Sequence, residues 1–125
     1  MTILNLFGNQ KYLNLQTFRK NGIGVKTPVW FVQEADALLV RTFADSGKVK
    51  RIRNHSQVNI APCKMDGELL CDWVPAIARE VKDSEIDRKV DQLLRKKYGL
   101  MKTVFTLSGG FTGRKYTILE MKVSE

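Results

Sequence analysis

Histidine occurs once, at His55, and cysteine only twice, at Cys63 and Cys71, in a chain of 125 residues. One histidine gives no support to a histidine-dependent catalytic triad. Its place just after a basic segment suits a surface or helix-capping residue. The two cysteines lie eight positions apart without metal-ligand companions, so free thiols are expected, with no disulfide and no metal site. No hydrophobic run approaches a membrane-spanning length, and Met1 to Leu13 has no basic segment leading into a long apolar one. A soluble, unsecreted, cytoplasmic protein without a membrane partner is therefore expected. Internal repeats and low-complexity tracts are also missing. Acidic side chains are scarce, 13 against 21 Lys and Arg, which leaves a net charge of +8. That balance favours anionic ligands but does not separate nucleic acid from a nucleotide-like cofactor.

The length fits one domain, residues 1–125, with a single core. Alternation of Leu13, Leu15 and Thr17 with their neighbours predicts a strand over Tyr12–Arg19, and Asn21-Gly22 predicts a hairpin turn. Gly24–Val32 is expected to return as one strand whose Val29-Trp30-Phe31-Val32 end is bulky enough to be buried on both sides. Further strands are expected at Ala37–Thr42, Val58–Ala61, Trp73–Val81 and Tyr116–Val123, making six. A helix is predicted from Asp83 or Ser84 to Tyr98, with Gly99 ending it. Its stripe of Ile86, Val90, Leu93, Leu94 and Tyr98 should pack against the sheet. Leu107–Lys115, with three glycines, reads as a mobile loop. A mainly β fold follows, a small antiparallel barrel with peripheral helices.

The segment richest in chemistry is Thr42–Arg53, where a strand end leads to Ser46 and then to Lys48, Lys50, Arg51 and Arg53. Ser46 is a favoured N-cap, and Val49 with Ile52 gives a short helix an apolar side. Unpaired N–H groups at such a helix start, beside cations, make a socket for phosphate. Lys48 and Arg51 share one face; Lys50 and Arg53 share another.

Several stretches in order carry a resemblance: Thr27-Pro28-Val29-Trp30-Phe31, Arg41-Thr42, Ala44-Asp45-Ser46-Gly47-Lys48 with Arg51, Ala61-Pro62-Cys63, and Trp73-Val74 with Ala76 and Ala78. Together they resemble the pyridoxamine 5'-phosphate oxidase-like, FMN-binding split-barrel proteins. Within these the chain is most similar to the subgroup dependent on the deazaflavin coenzyme F-420. The resemblance implies a six-stranded antiparallel split β-barrel and a homodimer with a flavin at the subunit interface. It places Lys26, Thr27, Pro28, Val29 and Trp30 against the flavin ring, Arg41 and Thr42 near the ring edge or ribityl chain, and Ser46 and Lys48 at the phosphate. Arg51 joins the phosphate group by its spacing, one helical turn on. Trp73 matches a position that the second subunit contributes. Arg41 or Lys26 is the candidate cation for the pyrimidine edge of the ring.

True pyridoxamine-phosphate oxidases grip substrate with an Arg-x-His pair near the C-terminus, and Tyr116–Glu125 contains neither residue. Oxidation of that substrate is therefore not expected. The expected function is an FMN-dependent oxidoreductase acting on an unidentified small molecule. A deazaflavin-dependent reductase and a non-catalytic protein that stores or senses flavin are the alternatives. Nucleic-acid binding is disfavoured, because the cation cluster is compact and not a long stripe.

Overall fold

The computed structural model describes residues 3–99 and 115–124. The expected mobile loop Leu107–Lys115 lies outside the described residues, except for Lys115 at its end. Seven strands form one antiparallel sheet: β1 (Tyr12–Phe18), β2 (Gly24–Val29), β3 (Val32–Glu34), β4 (Ala37–Phe43), β5 (Gln57–Cys63), β6 (Val74–Val81) and β7 (Tyr116–Val123). Helix α1 (Gly47–Asn54) follows β4, and α2 (Ser84–Tyr98) follows β6.

The strand order is β2-β1-β5-β6-β7-β4-β3, so β2 and β3 stand at opposite edges of the sheet. Yet only Trp30 and Phe31 separate them in the chain. Three Cα steps reach about 11 Å at most, so the sheet has to curl until its two edges come together. The single strand expected over Gly24–Val32 is thus divided at Trp30-Phe31, where the chain leaves β1 and joins β4. This accounts for seven strands where six were expected. The split barrel is otherwise as anticipated.

Strand alternation sorts the side chains into two layers. Leu13, Leu15, Phe31, Leu38, Val40, Ile60, Ala76, Leu119 and Met121 fill the barrel, joined by Val49 and Ile52 of α1. Val32, Leu39, Val81 and Ile118 face outward and are covered by Val90, Leu94 and Tyr98 of α2, with Trp30, Ile86 and Leu93 at the margin. The α2 boundaries match the sequence expectation because both ends are chemically marked. The Asp83 carboxylate accepts from the N–H groups of Glu85 and Ile86, and Gly99 at the C-cap takes a positive φ of 56°. The hairpin turn also forms where Asn21-Gly22 predicts it, with Gly22 at φ 88° and the Ile23 N–H donating to Asn21.

α2 holds the Trp30-Phe31 crossing in place. The Trp30 indole stacks on the Tyr98 ring, centroids 4.1 Å apart and planes 8° from parallel. The Tyr98 hydroxyl accepts from the Phe31 N–H at 3.0 Å and donates to the Lys11 carbonyl at 2.7 Å. The Lys97 ammonium donates to the Phe31 carbonyl at 2.9 Å. No helix among the described residues is long and apolar enough to cross a membrane.

Candidate functional site

β4 delivers the chain to Ser46, and Val49 and Ile52 pull α1 into the barrel core, which fixes where the start of the helix sits. Ser46 occupies the N-cap in extended geometry, but its side chain makes no capping hydrogen bond. Its Oγ is buried and has no partner among the described residues. The first turn of α1 holds no acidic residue either. The expected cap is therefore only positional: the N–H groups of this turn and the Ser46 hydroxyl are both left without the usual mutual bond.

Arg51 lies over this helix start. A Cβ built on Gly47 would sit 2.7 Å from Arg51 Nη1, so the absent side chain at position 47 leaves the space that the guanidinium fills. Arg51 Nε donates to Thr17 Oγ1 at 2.6 Å, tying the group to the inward face of β1. Burial, followed by repulsion from nearby Arg19, lowers the Arg51 pKa. Two cations held close together favour an anion between them. Lys48 lies half-buried on the same helix.

The opposite face of α1 is engaged differently. Arg53 makes a paired contact with Glu80, Nε to Oε1 at 2.9 Å and Nη2 to Oε2 at 3.1 Å. That bond holds the Glu80 carboxyl below its ordinary pKa. Lys50 is exposed. The structure thus brings Ser46, Lys48 and Arg51 to one helix start, with Thr17 and Arg19 as additions. Thr17 could have been found from the sequence, since a hydroxyl at a core-facing position of an alternating strand needs a partner.

The other expected residues are more dispersed. On β2, Thr27 and Val29 are half-buried, while Lys26 and Pro28 are exposed. Because β2 is an edge strand, one side of its backbone faces away from the ladder, and Pro28 fits such a strand. Trp30 turns outward onto Tyr98, as a packing residue. Trp73 is half-buried just before β6.

Arg41 and Thr42, expected to act together, point to opposite faces of β4. Thr42 is buried, whereas Arg41 reaches α2 and donates to Asp87 Oδ1 at 3.0 Å and Asp91 Oδ1 at 2.9 Å. Two carboxylates therefore already balance the Arg41 charge. These acids, four apart on one face of α2, were the sequence signal for that pairing. His55 is the C-cap of α1, edge-on to Phe18 at 5.7 Å, and both cysteines are free, Cys63 being buried. A cleft of about 460 Å³ opens beside Arg19, His55, Asn59 and Pro75, but Ser46, Lys48 and Arg51 do not line it.

No family model and no curated protein matches the chain. Solved structures do. A candidate pyridoxamine 5'-phosphate oxidase from Listeria innocua is 11% identical at a TM-score of 0.69, the match covering 98% of this chain and 91% of that one. HutZ, the heme storage protein of Vibrio cholerae, is 18% identical at a TM-score of 0.72, over 98% of this chain and 88% of its own. An F-420 reductase is 15% identical at a TM-score of 0.60, over 100% of this chain and 95% of its own. The curled sheet, its strand order and these likenesses lead to one conclusion: the chain has the split-barrel fold of the pyridoxamine 5'-phosphate oxidase-like proteins.

Proposed function

We propose that the chain is a flavoprotein that binds FMN and acts as a homodimeric oxidoreductase on a small molecule other than pyridoxamine phosphate. The observation that carries this reading is the uncapped start of α1, where a buried, unpartnered Ser46 hydroxyl lies beside the Arg51 guanidinium over Gly47. These groups suit a phosphate with two negative charges. Ser46, Lys48, Arg51 and the first N–H groups of α1 would hold it through charge-assisted bonds.

When bound, the flavin supplies the electron-transfer chemistry, and the protein supplies position and electrostatics. The unpaired side of β2 over Lys26–Val29 would offer backbone N–H and C=O groups to the polar edge of the ring. With Arg41 balanced by Asp87 and Asp91, Lys26 is the better placed candidate for a cation near that edge. Trp30, stacked on Tyr98, would fix the end of that strand. A second copy would enclose the ring and contribute its Trp73.

FMN is favoured over coenzyme F-420 because Arg53 is held by Glu80. The longer anionic tail of the deazaflavin would want that charge. The test is to purify the protein, record its absorbance, and weigh any cofactor released on unfolding. FMN and the deazaflavin are then titrated in parallel at two salt concentrations. FMN binding that weakens in Lys48→Ala and persists in Lys50→Ala supports the reading. Deazaflavin binding at least tenfold tighter and lost in Lys50→Ala overturns the cofactor choice. Failure to bind either overturns the function, and a nucleic-acid ligand would then be tested.

A further inference from the structure

Thr17 stands at an inward position of β1, in line with Leu13 and Leu15, and is 1% exposed. Valine would fill such a place equally well, and a buried hydroxyl is unfavourable there unless it is bonded. Its bond comes from α1. Arg51 Nε donates to Thr17 Oγ1 at 2.6 Å, across 34 positions of sequence. Other guanidinium groups spend the same nitrogen on a carboxylate: Arg53 Nε on Glu80, Arg79 Nε on Glu120 and Arg95 Nε on Asp91. Arg51 Nε meets a neutral oxygen, so its bond fixes the group without cancelling its charge.

A planar guanidinium presents two edges to an anion, Nε with Nη2 from the side and Nη1 with Nη2 from the end. Thr17 occupies the first. The second lies over the start of α1, where Nη1 and Nη2 come within 2.7 and 3.6 Å of the place that a Cβ on Gly47 would take. The buried Ser46 Oγ, without a partner among the described residues, belongs to the same turn. We propose that Thr17 is a positioning residue, which by holding Arg51 Nε turns the Nη1–Nη2 edge toward the start of α1 to take two oxygens of the FMN phosphate. This assignment rests on the FMN reading and adds to it the orientation of the guanidinium and the residue that sets it.

An orienting role and a packing role for Thr17 differ in two respects. Removal of an orienting hydroxyl weakens only ligands that carry the phosphate, so riboflavin, the same ring and chain without it, is unaffected. The loss also passes through Arg51 and disappears once Arg51 is gone. Groups that only orient a binding side chain are worth about 10- to 100-fold at metal sites, and a loss near the lower end, about tenfold, is expected here.

The experiment titrates the full chain with FMN and with riboflavin, in the wild type and in Thr17→Val, Thr17→Ser, Arg51→Ala and the Thr17→Val/Arg51→Ala double variant. The wild type should prefer FMN by roughly a hundredfold, about what two hydrogen bonds to a charged group supply. Thr17→Val should cut that preference about tenfold with riboflavin affinity unchanged, Thr17→Ser should restore it, and the double variant should lose no more than Arg51→Ala. A preference for FMN that survives in Thr17→Val, or a further loss in the double variant, overturns the role of Thr17 and leaves the phosphate reading standing. A wild type that binds both flavins equally, or neither, overturns both. Nitrogen-15 NMR of the wild-type arginine side chains keeps the test open should Thr17→Val fail to fold. FMN should shift the Arg51 Nη1 and Nη2 signals and slow their rotation while Nε–H stays nearly unmoved, and riboflavin should do neither; a large Nε–H shift with FMN would mean that the phosphate displaces Thr17 and would refute the assignment.

Discussion

Replacing Gly47 by alanine separates binding from stability at the start of α1. The new Cβ would fall 2.7 Å from Arg51 Nη1, against the 3.4 Å or more of ordinary contact, so the guanidinium has to move by about 0.7 Å. It is the far end of a flexible side chain, and the fold can absorb that shift. Gly47 has no positive φ, so alanine fits its backbone. Reduced freedom in the unfolded chain should then stabilise the protein by about 0.4–1 kcal/mol. With a urea slope of about 2 kcal/mol/M, the midpoint rises by roughly 0.2–0.5 M. FMN affinity should change in the opposite sense. Losing one hydrogen bond to a charged group costs about 1.5–3 kcal/mol, or roughly 10- to 150-fold in Kd. Because the effect acts through Arg51, adding Gly47→Ala to Arg51→Ala should bring little further loss. Fluorescence titration and urea unfolding on the same samples measure both quantities. Wild-type FMN affinity in a stably folded Gly47→Ala protein would refute the placement of Arg51 at the phosphate.

Lys48→Ala should weaken FMN binding by about 1.5–3 kcal/mol in the same titration, with unfolding unchanged. Tyr98→Phe should destabilise the chain by about 1–3 kcal/mol in urea, because it leaves the buried Phe31 N–H without its acceptor. The carboxyl of Glu80, depressed by Arg53, contributes stability above its unfolded pKa that disappears as pH falls through the lower folded value; Arg53→Gln should flatten the fall in stability below the ordinary carboxylate range. Sedimentation at micromolar concentration with FMN should give a dimer, and Trp73→Ala should weaken FMN binding more than dimerisation. A persistent monomer would remove the interface site.

Most elements were legible because their ends carry distinct chemistry. Asp83 and Gly99 bracket α2, Asn21-Gly22 marks the hairpin, and Val49 with Ile52 reveals the buried side of α1. The division of Gly24–Val32 was not legible, because Val29 to Val32 keeps alternating without a break while its pairing partner changes from β1 to β4. Periodicity reports which face a residue takes and is blind to which strand lies beside it. The gathering of Ser46, Lys48 and Arg51 at the start of α1 was legible as a local spacing within Thr42–Arg53. Its support from Thr17 and Arg19 was not, since contacts across 34 positions leave no local pattern. The ion pairs of Arg41 were likewise not foreseen, since Asp87 lies some 46 residues away on another element.

The Trp30-Phe31 crossing has a consequence for the integrity of the molecule. This one dipeptide ties the two edges of the sheet to each other through the backbone. A protease cut there would leave every side chain in place at first, but it would free β2 and β3 to separate, each with a row of backbone donors and acceptors able to recruit another molecule. The Tyr98 hydroxyl and the Lys97 ammonium, which bond the Phe31 backbone, are the latch on this crossing. Loosening that latch should show as thioflavin-positive material on prolonged incubation before any general loss of secondary structure.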